Sequence, residues 1–226
     1  MKEQNVAVRV WDLPTRVFHW VLAFGVLVSL GTAWLGGNAM VWHMRFGYLA
    51  FALLLFRLLW GLFGGHWSRF SNFVYSPGTS LRYLRGQSRA DEHHHVGHNP
   101  LGAFSVFALL GILAAQVGSG LFADDDIATQ GPLVRFVSGA TSSRLTAWHT
   151  GYGKWILVGL VVLHVVAVLF YLLRRKDNLI APMLSGNKLL AAGVPGAVDS
   201  LGSRMLALAL FAASAAFVVW LVELGA

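Results

Sequence analysis

Histidine is the residue type in this 226-residue chain with the widest range of chemistry, because the sequence contains no cysteine. Four of its nine histidines fall inside or at the mouths of long apolar segments: His19, His43, His149 and His164. An ionisable side chain in a membrane-length segment is costly and usually faces the interior of a helix bundle. A neutral imidazole has one lone pair for a metal and exchanges protons near neutral pH. The alternatives are therefore metal or haem ligation, proton transfer, and hydrogen-bonded core histidines.

The composition indicates which elements must position these histidines. Hydrophobic residues make up 56% of the chain and charged residues 12%, about half the charged share of a typical soluble domain. This excludes an ordinary soluble enzyme and a disordered chain, and it leaves an integral membrane protein. A bilayer-spanning helix needs about 20 mostly apolar residues. The apolar runs predict five such helices, at roughly 15–36, Val41–Leu62, Pro100–Phe122, Ala147–Leu173 and Met205–Val222.

The fold class that follows is an all-α integral membrane protein. We expect a four-helix transmembrane bundle within residues 1–180 and an additional C-terminal transmembrane helix over residues 205–226. Between them, residues 181–204 are expected to form a cytoplasmic linker, polar or amphipathic, because glycine and proline recur there.

Lysine and arginine predict the orientation of these spans. Twelve of them lie in the N-terminal stretch, the 64–99 connection and the segment after the fourth span, against four in the connections at the opposite end. The positive-inside rule then predicts a cytoplasmic N-terminus and a periplasmic C-terminus in a bacterial inner membrane. The net charge of +7 is thus mainly a topology signal, and no nucleic-acid motif competes with it.

Depth in the membrane sorts the four histidines into two pairs. His19 lies near the cytoplasmic start of the first span, and His43 lies near the outer start of the second. On the fourth span His149 is at the outer end, and His164 is close to the inner end marked by Arg174. His19 therefore matches His164, and His43 matches His149. In one continuous helix, His149 and His164 would share a face and lie about 22 Å apart.

Two depth-matched pairs suit two haems. Imidazoles from facing helices can fill both axial positions of a haem iron, and the porphyrin would occupy the interior of a four-helix bundle. The absence of cysteine excludes a CxxCH haem attachment motif, an iron–sulfur cluster and a thiolate zinc site. Any haem is therefore expected to be b-type and held non-covalently.

Four segments resemble the prokaryotic cytochrome b561 family, which is related to the b-type cytochrome subunits of nickel–iron hydrogenases. They are Asp12-Leu-Pro-Thr-Arg-Val-Phe-His19-Trp20, Trp42-His43-Met-Arg-Phe-Gly47-Tyr48, Gly97-His98-Asn99-Pro100-Leu101-Gly102 and Leu145-Thr-Ala-Trp-His149. The resemblance covers roughly residues 7–180 and implies a four-helix bundle with two bis-histidine b haems. It implies that His19 and His164 hold the cytoplasmic-side haem iron. It likewise implies that His43 and His149 hold the periplasmic-side one. The fifth span lies beyond the four-helix core of the family.

Three arginines are candidates for pairing with the haem propionates, because a guanidinium forms strong bidentate bonds to a carboxylate. They are Arg16, Arg45 and Arg57. The alternative for each is a side chain that extends to lipid phosphate, and the sequence does not decide between the two.

Other polar groups have simpler interpretations. The His93–His95 run is expected in a solvated cytoplasmic loop, with metal binding as the alternative. For His98, helix capping by the neighbouring Asn99 explains the local sequence, with a contact to a propionate or a quinone headgroup as the alternative. The acidic run Asp124–Asp126 is expected to be a solvated helix end, with docking of a c-type cytochrome as the alternative.

The function predicted from these observations is a membrane di-haem b-type cytochrome. It would transfer electrons across the inner membrane between the quinone pool (ubiquinone or menaquinone) and a redox partner, either a periplasmic c-type cytochrome or an oxidoreductase. If the chain is itself an enzyme, we expect a quinone-linked oxidoreductase, of which a superoxide oxidase is one version. The expected contacts are membrane lipid and quinone, not nucleic acid, and association as a homodimer stays open.

Two other functions need no haem. A proton or metal transporter could use the intramembrane histidines, but the sequence between Trp155 and Leu173 is almost wholly apolar and offers no continuous relay. A simple membrane anchor would leave four depth-matched histidines unexplained.

Overall fold

The computed structural model describes residues 5–87 and 96–225; the His93–His95 run lies outside these residues. The described residues form two short strands and eight α-helices, joined by turns. In chain order they are β1 (Asn5–Arg9), α1 (Leu13–Leu35), α2 (Met40–Phe63), α3 (Pro77–Leu84), α4 (Pro100–Gly120), α5 (Gly139–Thr150), α6 (Tyr152–Phe170), α7 (Ile180–Ser185), β2 (Asn187–Ala191) and α8 (Leu201–Glu223).

Five helical segments are long and apolar enough to cross a membrane, which confirms the five predicted spans. They correspond to α1, α2, α4, α8 and a composite segment, Gly139–Arg175, made of α5, α6 and a π-helical turn at Tyr171–Arg175. The mean hydropathy of these five segments lies between 1.7 and 2.9. The chain is therefore a multi-pass helical membrane protein.

The helix that contains the predicted fourth span extends beyond the predicted start at Ala147. The helix begins eight residues earlier at Gly139, where Ser138 Oγ accepts the backbone N–H of Thr141. Residues 139–146 are mostly small or polar, so hydropathy alone did not reveal this part of the helix. The span is also not continuous, because the backbone breaks between α5 and α6 at Gly151, with φ −102° and ψ −108°.

Polar N-caps mark where three of the other spans, α1, α4 and α8, begin. Asp12 Oδ1 accepts the N–H of Thr15 at the start of α1, and Asn99 Oδ1 accepts the N–H of Gly102 at the start of α4. Ser200 Oγ does the same for Ser203 at the start of α8. Such caps satisfy backbone donors that have no partner inside the helix. The capping role expected for Asn99 is therefore confirmed.

A two-stranded antiparallel ribbon joins the N-terminus to the segment after the fourth span. β1 pairs with β2 so that Asn5 lies opposite Ala191 and Arg9 lies opposite Asn187. Residues 181–204, expected as a linker, thus contain most of α7 and the whole of β2. The sequence did not predict this ribbon, because each strand is only five residues long and its partner is remote in the chain. We call the end of the bundle that carries the ribbon the N-terminal end.

The fifth span, α8, crosses the molecule from the N-terminal end to the opposite end. At its start Asp199 forms ion pairs with both Arg9 and Arg204. At its finish Gly225 lies against the carbonyl of Pro132. Along its length α8 packs mainly on α2, with Phe211 against Phe56 and Phe217 against Phe51.

The remaining helices surround a space that contains the four intramembrane histidines. Close backbone contacts join α1 to α2, α2 to α4, and α4 to both α5 and α6. Within the described residues α1 and α6 are not among the closely contacting helix pairs, although each carries one histidine of the same pair. The two helices are therefore linked by their side chains across a gap between the backbones.

Candidate functional site

The first histidine pair lies at the end of the bundle opposite the N-terminus. The ring centroids of His43 on α2 and His149 on α5 are 5.8 Å apart, and their planes are inclined by 80°. His43 Nδ1 lies 2.9 Å from the backbone oxygen of Ser29 on α1. His149 Nδ1 lies 2.9 Å from the backbone oxygen of Gln116 on α4. A carbonyl accepts only, so both Nδ1 atoms carry the proton and both Nε2 lone pairs are left for a ligand.

The second pair lies toward the N-terminal end. The ring centroids of His19 on α1 and His164 on α6 are 6.4 Å apart, with an interplanar angle of 55°. Within the described residues neither ring forms a hydrogen bond to protein, and the Nδ1 atom of His19 is buried without a partner. A buried polar atom without a partner requires an explanation, and a ligand between the two rings would provide one.

The geometry of both pairs fits axial ligation of one metal ion between two imidazoles. With metal–nitrogen bonds of about 2.0–2.1 Å, two such rings on opposite sides of an iron have centroids about 6 Å apart. The observed separations of 5.8 and 6.4 Å agree with this value. The structure thus brings together both pairs that sequence depth predicted, and it leaves space between their helices.

A cavity of about 150 Å³ adjoins the His43–His149 pair. Both histidines line it, together with Gly47, whose Cβ position would face open space. Asp125 and Thr129, from the connection after α4, form its outer wall. A flat, largely apolar group can approach the α2 backbone at Gly47. The chemistry of the lining, two imidazoles in largely apolar surroundings, fits a haem, while the cavity itself is smaller than a porphyrin.

Arg57 is the most deeply buried cation near the His19–His164 pair. The residue is only 3% exposed, its guanidinium lies 4.6 Å over the ring of Phe70, and its Nη1 atom has no hydrogen-bond partner within the described residues. A buried charge is normally paired; the buried carboxylate of Asp12 lies close enough to interact with Arg57, and Nη1 is left to donate to a second acceptor, for which a haem propionate is suited. Arg57 is therefore well placed for the role that the sequence predicted.

The other two predicted arginines lie in different environments. Arg16 Nη1 donates to the carbonyl of Leu184 near α7, while its Nε is buried without a partner. Arg45 is exposed, lies 4.9 Å over the ring of Trp42, and does not line the cavity beside His43. The structure therefore buries Arg57, leaves Arg16 half-buried against Leu184, and leaves Arg45 exposed.

His98 lies beside the N-terminal pair, although it is not part of it. Its ring contacts Trp11 and Phe73, with centroids 4.7 and 4.5 Å away, and its Nδ1 is buried without a partner. Burial lowers the pKa of His98 to about 3, and the positive charge of Arg57 contributes. His98 is thus neutral at physiological pH.

Sequence reasoning missed the role of Asp12, which is completely buried and accepts four hydrogen bonds. Its Oδ1 accepts from Thr15 N and Trp60 Nε1, and its Oδ2 accepts from Gly65 N and Ser68 Oγ. These bonds join the start of α1 to the end of α2 beside Arg57. The signal that could have revealed it is an aspartate two residues before Pro14, an N-cap pattern.

The acidic run Asp124–Asp126 mainly builds its own loop. Asp125 Oδ1 accepts three backbone N–H groups, from Ile127, Ala128 and Thr129, and these bonds lower its pKa to about 2. Asp124 accepts from Gln130 Nε2 and from the N–H of Asp126. The run is therefore a structured loop over the cavity.

Comparison with known proteins identifies the family. The family model described as prokaryotic cytochrome b561 matches residues 10–186, more than three quarters of the chain. The chain belongs to the prokaryotic cytochrome b561 family. This confirms the resemblance carried by the four sequence segments. The b561 cytochrome is accordingly a membrane protein of electron transport that uses haem b.

Curated relatives support the same assignment. A protein of Bradyrhizobium diazoefficiens named "Probable Ni/Fe-hydrogenase B-type cytochrome subunit" is 27% identical to the b561 cytochrome, covering 80% of this chain and 85% of the relative. A Cupriavidus necator protein of the same name is 26% identical, covering 80% and 86%. An Escherichia coli K12 protein named "Probable Ni/Fe-hydrogenase 1 B-type cytochrome subunit" is 22% identical, covering 82% and 92%. No solved structure shows significant similarity to this chain.

Proposed function

We propose that this cytochrome binds two haem b groups non-covalently and carries electrons between them across the bacterial inner membrane. In this proposal His19 and His164 ligate the haem at the N-terminal, cytoplasmic end. His43 and His149 ligate the haem at the periplasmic end. The electrons pass between quinone and a redox partner.

The observation that carries the proposal is the presence of two facing histidine pairs at different depths of one bundle. Each pair joins one helix of the α1–α2 hairpin to one segment of the composite fourth span. Their ring separations, 6.4 and 5.8 Å, both suit a single iron between two imidazoles. Core histidines that only satisfy hydrogen bonds would not be expected to meet ring to ring twice.

The chain itself contributes ligands, proton positions and a dry environment. Haem b, when bound, supplies a one-electron iron couple. The carbonyls of Ser29 and Gln116 hold the Nδ1 protons of His43 and His149, which directs the Nε2 lone pairs to the metal. At the other end Arg57 offers a buried positive charge to a propionate. Apolar side chains such as Leu113 and Leu157 keep water out between the two sites.

The names of the relatives support a particular class of redox partner. Those relatives are named as cytochrome subunits of Ni/Fe hydrogenases, which are oxidoreductases whose catalytic centre is on another chain. We infer that this cytochrome likewise exchanges electrons with a separate oxidoreductase or with a c-type cytochrome at its periplasmic end. Quinone then reacts near the haem of the cytoplasmic end.

The proposal is tested by haem content and optical spectra of the purified protein. We expect the pyridine haemochrome assay to give two non-covalent b haems per chain. Reduction with dithionite should give b-type α and Soret bands, and near-infrared and EPR spectra should indicate bis-histidine coordination. Fully folded protein that remains colourless after expression with haem supplied would contradict the proposal, as would one haem per chain.

A further inference from the structure

Gln116 on α4 contacts His149 in two ways. Its backbone carbonyl lies 2.9 Å from His149 Nδ1, and its side-chain Nε2 donates to the backbone carbonyl of His149 over 3.1 Å. The residue is 8% exposed, so both bonds form in the bundle interior. One residue thus holds both the imidazole and the main chain of a proposed haem ligand.

The break in the fourth span explains why the main chain needs this support. His149 lies in the last turn of α5, directly before the break at Gly151. Carbonyl groups in the last turn of a helix lack partners within that helix. The amide of Gln116 supplies a donor to one of them. Without this hydrogen bond, the main chain at His149 would be supported by a helix that is interrupted two residues later, at Gly151.

The opposite ligand is held more simply. His43 lies within the first turn of α2, and its Nδ1 bonds to the carbonyl and hydroxyl of Ser29 on α1. No side-chain amide supports the main chain of His43 among the described residues. The histidine next to the helix break is therefore the one that receives a second contact.

We propose that Gln116 is a positioning residue that orients His149 as an axial ligand and thereby sets the redox potential of the haem held by His43 and His149. This inference rests on the proposed function. An Nδ1–H bond to a carbonyl makes an imidazole more basic, and a more basic ligand stabilises ferric iron. Gln116 maintains this bond by fixing the main chain of His149, so loss of its amide raises the potential of this haem.

The amide of Gln116 contributes more to the position of His149 than to the stability of the fold. Its Oε1 atom is buried without a partner in the described part of the chain, so the cost of burying that oxygen offsets the gain from the bond made by Nε2. A leucine at this position has similar volume and buries no polar atom. The variant Gln116→Leu is therefore expected to fold.

Two variants disturb the contact from opposite sides. Gln116→Leu removes the amide and keeps the backbone carbonyl. Gly153→Ala keeps Gln116, but its new Cβ atom would collide with Gln116 Oε1 and lie 2.7 Å from Trp148 Nε1, so it would displace the amide and also press on the indole of Trp148. We expect both variants, in a redox titration followed by EPR and optical spectra, to raise the potential of the His43–His149 haem and shift its low-spin signal. The other haem should keep its potential and signal.

The matched control is Ser214→Ala, which removes a buried polar group, a hydroxyl, from a transmembrane helix, as Gln116→Leu removes a buried amide, but lies on α8, away from the histidines. It should change neither haem. Equal shifts of both haems, no shift in either variant, or loss of both haems in both variants would overturn the role of Gln116. A wild-type protein without two bis-histidine haems would instead contradict the proposed function itself.

Discussion

His43 and His149 meet nearly at right angles, and the Nδ1–H of each donates a hydrogen bond to a backbone carbonyl of a neighbouring helix. His19 and His164 face each other at a similar distance without such a bond in the described part of the chain. The two histidine pairs therefore differ in basicity as ligands for a haem iron. The ligand basicity therefore differs between the two ends of the bundle along the membrane normal.

The first prediction concerns the order of the two redox potentials. Basic ligands at His43 and His149 stabilise ferric iron, while the buried charge of Arg57 near the other pair stabilises ferrous iron. The haem at the N-terminal end should therefore have the higher midpoint potential, by several tens of millivolts, since about 59 mV corresponds to a tenfold change in a one-electron equilibrium. A redox titration with the two haems assigned by single-histidine variants measures this order, and a reversed order would refute it.

The second prediction assigns each haem to its ligands. His149→Ala should leave one haem per chain, at the N-terminal end. His164→Ala should leave one haem at the opposite end. Each substitution removes one of the two bonds between the protein and a haem iron, so that haem is lost. Pyridine haemochrome and EPR measure what remains. His66→Ala, outside the spans, is the control and should keep both haems. Loss of the same haem in both variants would show that the pairing is wrong.

The third prediction concerns Arg57. Arg57→Leu removes a buried positive charge, so the potential of the haem at the N-terminal end should fall and its retention during purification should weaken. A hydrogen bond to a charged group contributes about 1.5–3 kcal/mol, which sets the scale of the change. Arg57→Lys keeps the charge and should retain most of the potential. If the leucine variant has wild-type potentials, Arg57 does not pair with a propionate.

The fourth prediction concerns stability at Asp12. Asp12→Ala removes the cap of α1 and leaves Trp60 Nε1 and Ser68 Oγ without their buried acceptor. Loss of the cap and these bonds should destabilise the protein by about 2–4 kcal/mol. Thermal unfolding in detergent, followed by circular dichroism, measures the effect. Asp126→Asn, in an exposed loop, should leave the unfolding temperature unchanged.

The fifth prediction is a pH dependence at the start of α8. Hydrogen bonds from Arg204 and then Arg9 hold the pKa of Asp199 below its usual value. Because the folded pKa is depressed, the ion pairs stabilise the folded state above the unfolded pKa, which is about 3.9. This contribution is lost as the pH falls through the lower, folded pKa.

Proteolysis near residues 192–200 at pH 7 and at pH 3 would measure this dependence. Cleavage should increase at the lower pH in the wild type. Asp199→Asn should be cleaved readily at both values, and a wild type that is equally resistant at both would contradict the prediction.

Hydropathy and charge were sufficient to predict the five spans, and depth was sufficient to pair the histidines, because both depend on local composition and on alternating helix direction. The ribbon of β1 and β2 could not be predicted in this way, because each strand is stabilised by a partner that is remote in the sequence. The contact between Gln116 and His149 was equally hidden. It depends on the helix break at Gly151. A single glycine in an apolar helix is equally compatible with close helix packing, so the sequence did not predict the break.

The ribbon has a consequence for how the protein is made. β1 leaves the ribosome first, and β2 follows about 180 residues later, after the four spans between them. At a synthesis rate of about 5–20 residues per second, the N-terminal strand waits on the order of 10–35 s for its partner. The two strands can pair only if an even number of spans has crossed the bilayer in between. Closure of the ribbon therefore requires both strands to lie on the same side of the bilayer, a condition that is met when all four intervening helices have inserted before α8 is added.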